Sequence, residues 1–135
     1  MFLLDTCVVS EGMRQVPDSD VDIWLRKQRN DELFISAMTA GELLFGIERL
    51  PTGRRRRVLE SWYAATVSVG FDGRILPFDF VASEFWARLR SRHNVANTVD
   101  SQIAATALAH EFVVVTRNVR DFAYEGLKVL NPWRK

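Results

Sequence analysis

The segment MFLLDTC, residues 1–7, places an aspartate almost directly after an unbroken apolar run. Four apolar residues without polar alternation are typical of a strand that helices cover on both faces, as in a parallel sheet. Ligands of open α/β sheets bind outside the carboxyl ends of the strands, which would put Asp5 at the edge of a binding crevice. An isolated aspartate at this point equally fits a turn or a helix cap. The rest of the chain has to decide between a site and a cap.

Strand-like and helix-length segments alternate along the whole chain. The five strand candidates are FLL (2–4), LFIS (33–36), RILPF (74–78), FVVVT (112–116) and KVL (128–130). The five helix candidates are VDIWLRKQR (21–29), TAGELLFGIERL (39–50), TGRRRRVLESWYAATVSV (52–69), VASEFWARLRSRH (81–93) and TVDSQIAATALAH (98–110). This alternation predicts an α/β fold with a parallel sheet. Right-handed crossovers would gather the carboxyl ends of the strands at one edge, so Asp5 should meet the segment TRNVRD, residues 116–121.

The composition narrows the class of protein. A chain of 135 residues with a net charge of +1 suits one domain, which we expect to span residues 1–135. The single cysteine excludes an internal disulfide and a thiolate zinc cluster, and fits a reducing compartment. The apolar runs are too short to cross a bilayer, and no signal segment is recognisable. We therefore expect a soluble cytoplasmic protein with no membrane partner.

Four acidic residues stand where such a fold could bring them together. They are Asp5, Glu42, Asp100 and Asp121. Singly, each has an ordinary explanation as an exposed helix residue, a cap or a partner of a helix dipole. Jointly, acids from separate segments repel one another unless a cation lies among them. Oxygen ligands suit Mg²⁺ or Mn²⁺, which can activate water and hold phosphoryl oxygens.

Four segments in register carry a resemblance to a known family. They are LLDTCVVSE (3–11), SAMTAGELLFGIERL (36–50), VDSQIAATALAH (99–110) and VVVTRNVRDF (113–122). Together they resemble the PIN-domain ribonucleases of VapC-type toxins in bacterial toxin–antitoxin pairs. Two further pieces, GRILPFD (73–79) and NPW (131–133), are similar to the FitB-like branch of that family.

The resemblance implies a fold, an activity and partners. The fold is a three-layer α/β/α sandwich around a central parallel sheet. The activity is metal-dependent RNA cleavage by an acid cluster that binds Mg²⁺ or Mn²⁺. The implied partners are RNA, a second copy of the chain in a homodimer, and a VapB- or FitA-like antitoxin. Such antitoxins cover the acidic groove with one end and bind operator DNA with the other.

The resemblance also assigns roles to residues. The metal ligands that it implies are Asp5, Glu42 and Asp100, with Asp121 added as a further catalytic acid. Supporting roles fall to Thr6, Thr116 and Asn118. Asn118 stands where many relatives carry an aspartate, so one negative charge is missing, and Asp121 could compensate. An alternative function therefore stays open: a weakly active or inactive PIN subunit that acts with its antitoxin as a DNA-binding repressor.

Basic residues are assigned by their distance from the acids. Arg14, Arg117 and Arg120 fall near the expected cluster and could hold phosphate oxygens of RNA. The run of four arginines at 54–57 fits either an RNA-binding patch or a solvated helix start, since a helix would spread it around its circumference.

Other reactive or aromatic side chains have structural explanations. Cys7 stands where the family that the sequence resembles usually carries an asparagine. We expect its thiol to be buried rather than reactive. We expect His93 and His110 at helix ends, and Trp24, Trp62 and Trp86 in packing. Two rival enzymes lack required parts: an aspartyl phosphotransferase needs a second acid at Cys7, and a cysteine phosphatase needs a shorter spacing from Cys7 to Arg14.

Overall fold

A central sheet with helices on both faces forms the body of the protein. The computed structural model describes residues 1–94 and 98–133. The strands are β1 (Phe2–Leu4), β2 (Leu33–Ser36), β3 (Ile75–Leu76), β4 (Val113–Val115) and β5 (Val129–Leu130). The helices are α1 (Thr6–Val9), α2 (Ser19–Arg26), α3 (Ala37–Glu48), α4 (Arg54–Tyr63), α5 (Phe80–Arg92) and α6 (Thr98–His110). All five predicted strands and all five predicted helices are confirmed, with shorter strands at the sheet edges.

All strand pairs of the sheet are parallel, in the order β3-β2-β1-β4-β5. The N-terminal strand β1 is central, because Leu3 pairs with Phe34 of β2 on one side and with Val114 of β4 on the other. Parallel strands need crossover connections, which here carry the helices. The carboxyl ends of β1, β2 and β4 consequently lie side by side at one edge.

Each face of the sheet has its own apolar core. Successive residues of a strand point to opposite faces, and Leu3 and Leu4 accordingly enter different cores at 0% and 2% exposure. Leu4 packs with residues of α1, α2 and α3, whereas Leu3 packs with α5 and α6. The layers confirm the predicted α/β/α sandwich. No helix among the described residues is long and apolar enough to span a membrane.

The arginine run at 54–57 opens α4, as its interpretation as a solvated helix start predicts. Arg56 folds back onto the protein, with nitrogens 3.1 Å from Glu48 and 3.3 Å from Glu60. Arg54, Arg55 and Arg57 are exposed. The helix continues beyond Tyr63 as a π-helical stretch, residues Ala64–Val69. The predicted helix over residues 52–69 is therefore present, but its second half has a wider turn.

The expected packing roles of the aromatic residues are confirmed. Trp24 and Trp62 pack against the core that contains Leu4, and Trp86 packs against the core that contains Leu3. His93 is the C-cap of α5, and His110 is the last residue of α6.

The small residues of α6 set how closely it approaches the sheet. Ala104 has no exposed surface, so Ala104→Leu should force extra volume into a closed core and lower the free energy of unfolding by about 1–3 kcal/mol. The same substitution at Ala87, exposed on α5, is the matched control. Urea denaturation followed by circular dichroism measures both. Equal stability of the two variants would show that α6 is not closely packed.

Candidate active site

Asp5 lies at the carboxyl end of β1 and is the N-cap of α1, so the interpretation as a helix cap is confirmed. Its backbone N–H donates to the Val115 carbonyl of β4 over 2.9 Å. Its carboxylate accepts the Thr6 N–H at 2.8 Å and the Thr116 hydroxyl at 2.8 Å. Asp5 is only 3% exposed, and this burial raises its pKa despite the hydrogen bonds that oppose the shift.

Thr6 connects the end of β1 to α3. Its hydroxyl donates to Oε1 of Glu42 over 2.7 Å. Glu42 is half-buried on α3, which begins directly after β2 with Ser36 as its N-cap. The strand and helix starts therefore bring Asp5 and Glu42 to opposite sides of one threonine. This contact supports the supporting role predicted for Thr6.

Thr116 connects Asp5 to the loop after β4. Its hydroxyl donates to Asp5 and accepts the Asn118 backbone N–H at 3.0 Å. Asn118 itself is exposed, and Asp121 is exposed within the 3-10 turn Val119–Phe122. Asn118 thus contributes a backbone contact to the site through Thr116.

Asp100 enters from the first turn of α6 and is half-buried. Its pKa is raised from 3.8 to about 7, first by burial and then by the charges of Asp5, Asp121 and Glu42. Carboxylates that shift one another in this way lie within electrostatic range. The structure therefore brings the four acids predicted from sequence to the same end of the sheet.

The donors at this end are oxygen atoms, which fit a hard divalent cation better than a soft one. Within residues 1–94 and 98–133, no three His, Cys, Asp or Glu side chains are placed to hold one metal ion together. The acids nonetheless act on one another, since burial and then the charges of Asp5, Asp121 and Glu42 raise the pKa of Asp100. Asp5, Glu42 and Asp100 would have to draw closer together to share one cation.

Cys7 lies beside the buried carboxylate. Its Sγ is 3.6 Å from Oδ2 of Asp5 and accepts the Arg117 backbone N–H at 3.5 Å. The residue is half-buried rather than fully enclosed, so the expected burial holds only in part. Burial raises the pKa of the thiol, which keeps it protonated and lowers its nucleophilicity at neutral pH.

The three arginines assigned to RNA differ in their surroundings. Arg14 pairs with Glu11, 3.3 Å away, on the 3-10 turn that follows α1. The Arg117 guanidinium lies over the Trp133 ring, 5.3 Å from its centroid. Arg120 is exposed beside Asp121 in the turn after β4. Arg117 and Arg120 therefore flank the loop of the acids, whereas Arg14 is engaged by a partner of its own.

Tyr124 is a neighbour of the acids that the sequence patterns did not single out. Burial, followed by the charges of Asp100 and Asp121, raises the pKa of its hydroxyl. Its ring contacts His93, with centroids 5.2 Å apart. The position of Tyr124, three residues after Asp121, was the available sequence signal.

A family model for the PIN domain matches residues 2–124 of the chain. The chain therefore belongs to the PIN-domain family. Among curated proteins it is similar to the VapC ribonuclease Y4jK of Sinorhizobium fredii, with 39% identity over 98% of both chains. It is also similar to the toxin FitB of Neisseria gonorrhoeae, with 36% identity over 98% of this chain and 99% of the relative.

A solved structure of FitAB bound to a DNA fragment, IR36, contains a chain of the same fold. The TM-score is 0.91 at 33% identity, and the match covers 100% of this chain and 97% of that chain. The resemblance to VapC and FitB toxins inferred from the sequence is thereby confirmed.

Thr116 supplies a buried hydrogen bond to a buried carboxylate, so its removal should be costly. Thr116→Val leaves Asp5 without that donor and should destabilise the protein by about 1–3 kcal/mol. Thr106→Val is the matched control, since Thr106 is equally buried but its hydroxyl donates within its own helix, to Gln102. Chemical denaturation compares the two. A loss in Thr106→Val as large as in Thr116→Val would contradict the assigned role.

The raised pKa of Asp100 predicts that the stability of the metal-free protein depends on pH. Between 3.8 and about 7 the folded chain binds more protons at this group than the unfolded chain. The free energy of unfolding therefore falls as pH rises through that window. Asp100→Asn should be more stable than the parent at pH ~8, by on the order of 1 kcal/mol because solvent screens a half-exposed group. The two proteins should converge as pH falls through the window.

Denaturation with urea in a chelator, repeated across this pH range, measures the effect. Asp72→Asn in an exposed turn serves as the control, because it removes the same charge outside the acid cluster. A pH-independent difference for Asp100→Asn would show that its charge is not opposed in the folded state.

Proposed function

We propose that this protein is the ribonuclease toxin of a type II toxin–antitoxin pair and hydrolyses RNA phosphodiester bonds with a divalent cation. The observation that carries the proposal is the convergence of four acids at the carboxyl edge of the sheet. Asp5 and Glu42 share Thr6. Burial, followed by the charges of Asp5, Asp121 and Glu42, raises the pKa of Asp100. The names of the relatives, VapC ribonuclease and toxin FitB, support the same activity.

The acids have distinct places in the proposed site. Asp5, Glu42 and Asp100 would hold Mg²⁺ or Mn²⁺. When bound, such a cation polarises a phosphodiester and makes water a stronger nucleophile. Asp121, exposed on the loop after β4, would act from the solvent side as a further acid. Thr6 and Thr116 orient the carboxylates of Glu42 and Asp5, in the way that outer hydrogen bonds orient metal ligands.

Phosphate binding has its own residues in this proposal. Arg117 and Arg120 lie on the loop that carries Asp121 and can pair with phosphate oxygens. Arg14 would have to leave Glu11 to do the same. We therefore assign a smaller contribution to Arg14.

The partners in the proposal are an antitoxin, a second copy of the chain and RNA. The related FitAB structure is an assembly bound to DNA, which supports a FitA- or VapB-like antitoxin that would connect this chain to operator DNA. We place the protein in the cytoplasm as a homodimer, since its proposed substrate and partner are found there. A single domain over residues 1–135 suffices for this function.

The weakly active repressor subunit is the second candidate. It is favoured by Asn118, which is exposed and lacks the negative charge of an acid at that position. RNA cleavage by the protein without its antitoxin distinguishes the two candidates. The repressor would act only together with its antitoxin and would need no catalysis.

The proposal is tested with single-stranded RNA and chain purified without antitoxin. We expect cleavage with Mg²⁺ or Mn²⁺, inhibition by EDTA, and loss of cleavage in Asp5→Asn with the fold retained. The same cations should raise the melting temperature of metal-free protein, since they bind the folded state preferentially.

Asp72→Asn is the control for both measurements and should behave as the parent. Cleavage by Asp5→Asn at the parental rate would refute the catalytic assignment. The absence of any thermal shift at millimolar cation would refute the cation site.

A further inference from the structure

A cavity of about 350 Å³ lies between α5, the end of α6 and the segment after the 3-10 turn Val119–Phe122. Its volume is in the range of pockets that bind small ligands. Its apolar floor includes Leu89 and Leu108, and its rim carries Arg88, Arg92 and His93. Neither the four acids nor the three arginines assigned above line it.

The arginines on the rim are available to an anion. Arg88 and Arg92 are one turn apart on α5, so they lie on the same face of the helix. Both are exposed, and neither forms an ion pair with a carboxylate in the described parts of the chain, residues 1–94 and 98–133. The Arg88 guanidinium already lies over the Phe85 ring, 5.7 Å from its centroid, which restricts its motion before any ligand binds.

The cavity is joined to the acids by two aromatic rings. His93 on the rim contacts Tyr124, with ring centroids 5.2 Å apart. Tyr124 in turn lies close enough to Asp100 and Asp121 for their charges to act on its hydroxyl. On the opposite side of α5, the Trp86 indole N–H donates to Ser101 over 3.0 Å, which fixes α5 against the residue that follows Asp100.

We propose that this cavity is a subsite for single-stranded RNA next to the scissile bond, in which Arg88 and Arg92 bind backbone phosphates and the His93 ring stacks on a base. The subsite rests on the proposed ribonuclease function. Arginine forks match phosphate geometry, and base stacking on aromatic rings is sequence-tolerant. An RNA strand bound here would run from the two arginines, across the His93 and Tyr124 rings, to Asp100.

An acidic residue on the wall opposite the arginines orients the bound RNA strand. Glu125 lines the cavity across from the arginines. Its carboxylate repels phosphate and accepts hydrogen bonds from a hydroxyl, so the backbone phosphates face α5 and a ribose 2′-hydroxyl faces Glu125. Contacts to the 2′-hydroxyl distinguish RNA from DNA. The subsite therefore favours RNA over DNA of the same sequence.

Binding is measured by fluorescence anisotropy with a 5′-labelled, randomised 12-nucleotide RNA and its DNA counterpart, in EDTA. The test variant is R88Q/R92Q, and R26Q/R29Q is the control, because it removes two exposed arginines and the same charge at residues with no assigned RNA contact. We expect R88Q/R92Q to weaken RNA binding by about 10-fold or more. It should also reduce the slope of log affinity against log salt by about 1.4. The control should change affinity by less than about 2-fold.

Cross-linking locates the strand independently. RNA carrying 4-thiouridine should cross-link at His93 or Tyr124, and the yield should fall in His93→Leu. Cross-links confined to residues 54–57 would overturn the proposal. Equal weakening in both double variants, unchanged binding in R88Q/R92Q, or no RNA binding by the parent chain would overturn it as well.

Cleavage kinetics separate this proposal from the proposed function. With Mg²⁺ present, R88Q/R92Q should raise KM and leave kcat unchanged, because the arginines act on binding. Parental cleavage with an unaltered KM in this variant refutes the subsite and leaves the nuclease. A parent that does not cleave, but whose RNA binding depends on Arg88 and Arg92, refutes the nuclease and leaves the subsite.

Discussion

The buried carboxylate of Asp5 is the constraint on which the site depends. A charge at 3% exposure is unfavourable unless hydrogen bonds satisfy it. Thr6 from α1 and Thr116 from the end of β4 supply them. The backbone N–H of Asp5 meanwhile donates to the Val115 carbonyl, so the residue that carries the charge also joins β1 to β4. Sheet pairing and site geometry are therefore set by the same residues.

The acids oppose the stability of the fold that assembles them. Burial and three neighbouring carboxylates raise the pKa of Asp100, so in the absence of a cation the folded state is stabilised by protonation. Functional sites commonly retain such unfavourable charges. The two closely packed cores supply the opposing stability, since Leu3 and Ile103 on one face and Ile35 on the other are fully buried. The loop that carries Asp121 adds two cations, Arg117 and Arg120.

Much of the fold follows from local patterns, whereas the contacts of the site do not. The strands were predictable because a strand buried on both faces leaves an unbroken apolar run, as in FLL and LFIS. Asp5, Asp100 and Asp121 were predictable because each follows a strand or opens a helix at the same sheet edge, whereas Glu42 lies within α3. The sharing of Thr6 by Asp5 and Glu42 joins residues 36 positions apart, and no local period records it. The contact of His93 with Tyr124 likewise arises only when α5 packs beside the loop after β4.

The central position of β1 has a consequence for synthesis. The first strand made pairs on one side with β4, and Asp5 receives a hydrogen bond from a residue 111 positions later. Contacts of such long sequence separation must close a large loop, which slows folding. A ribosome must release nearly the entire chain before the carboxylates can assemble.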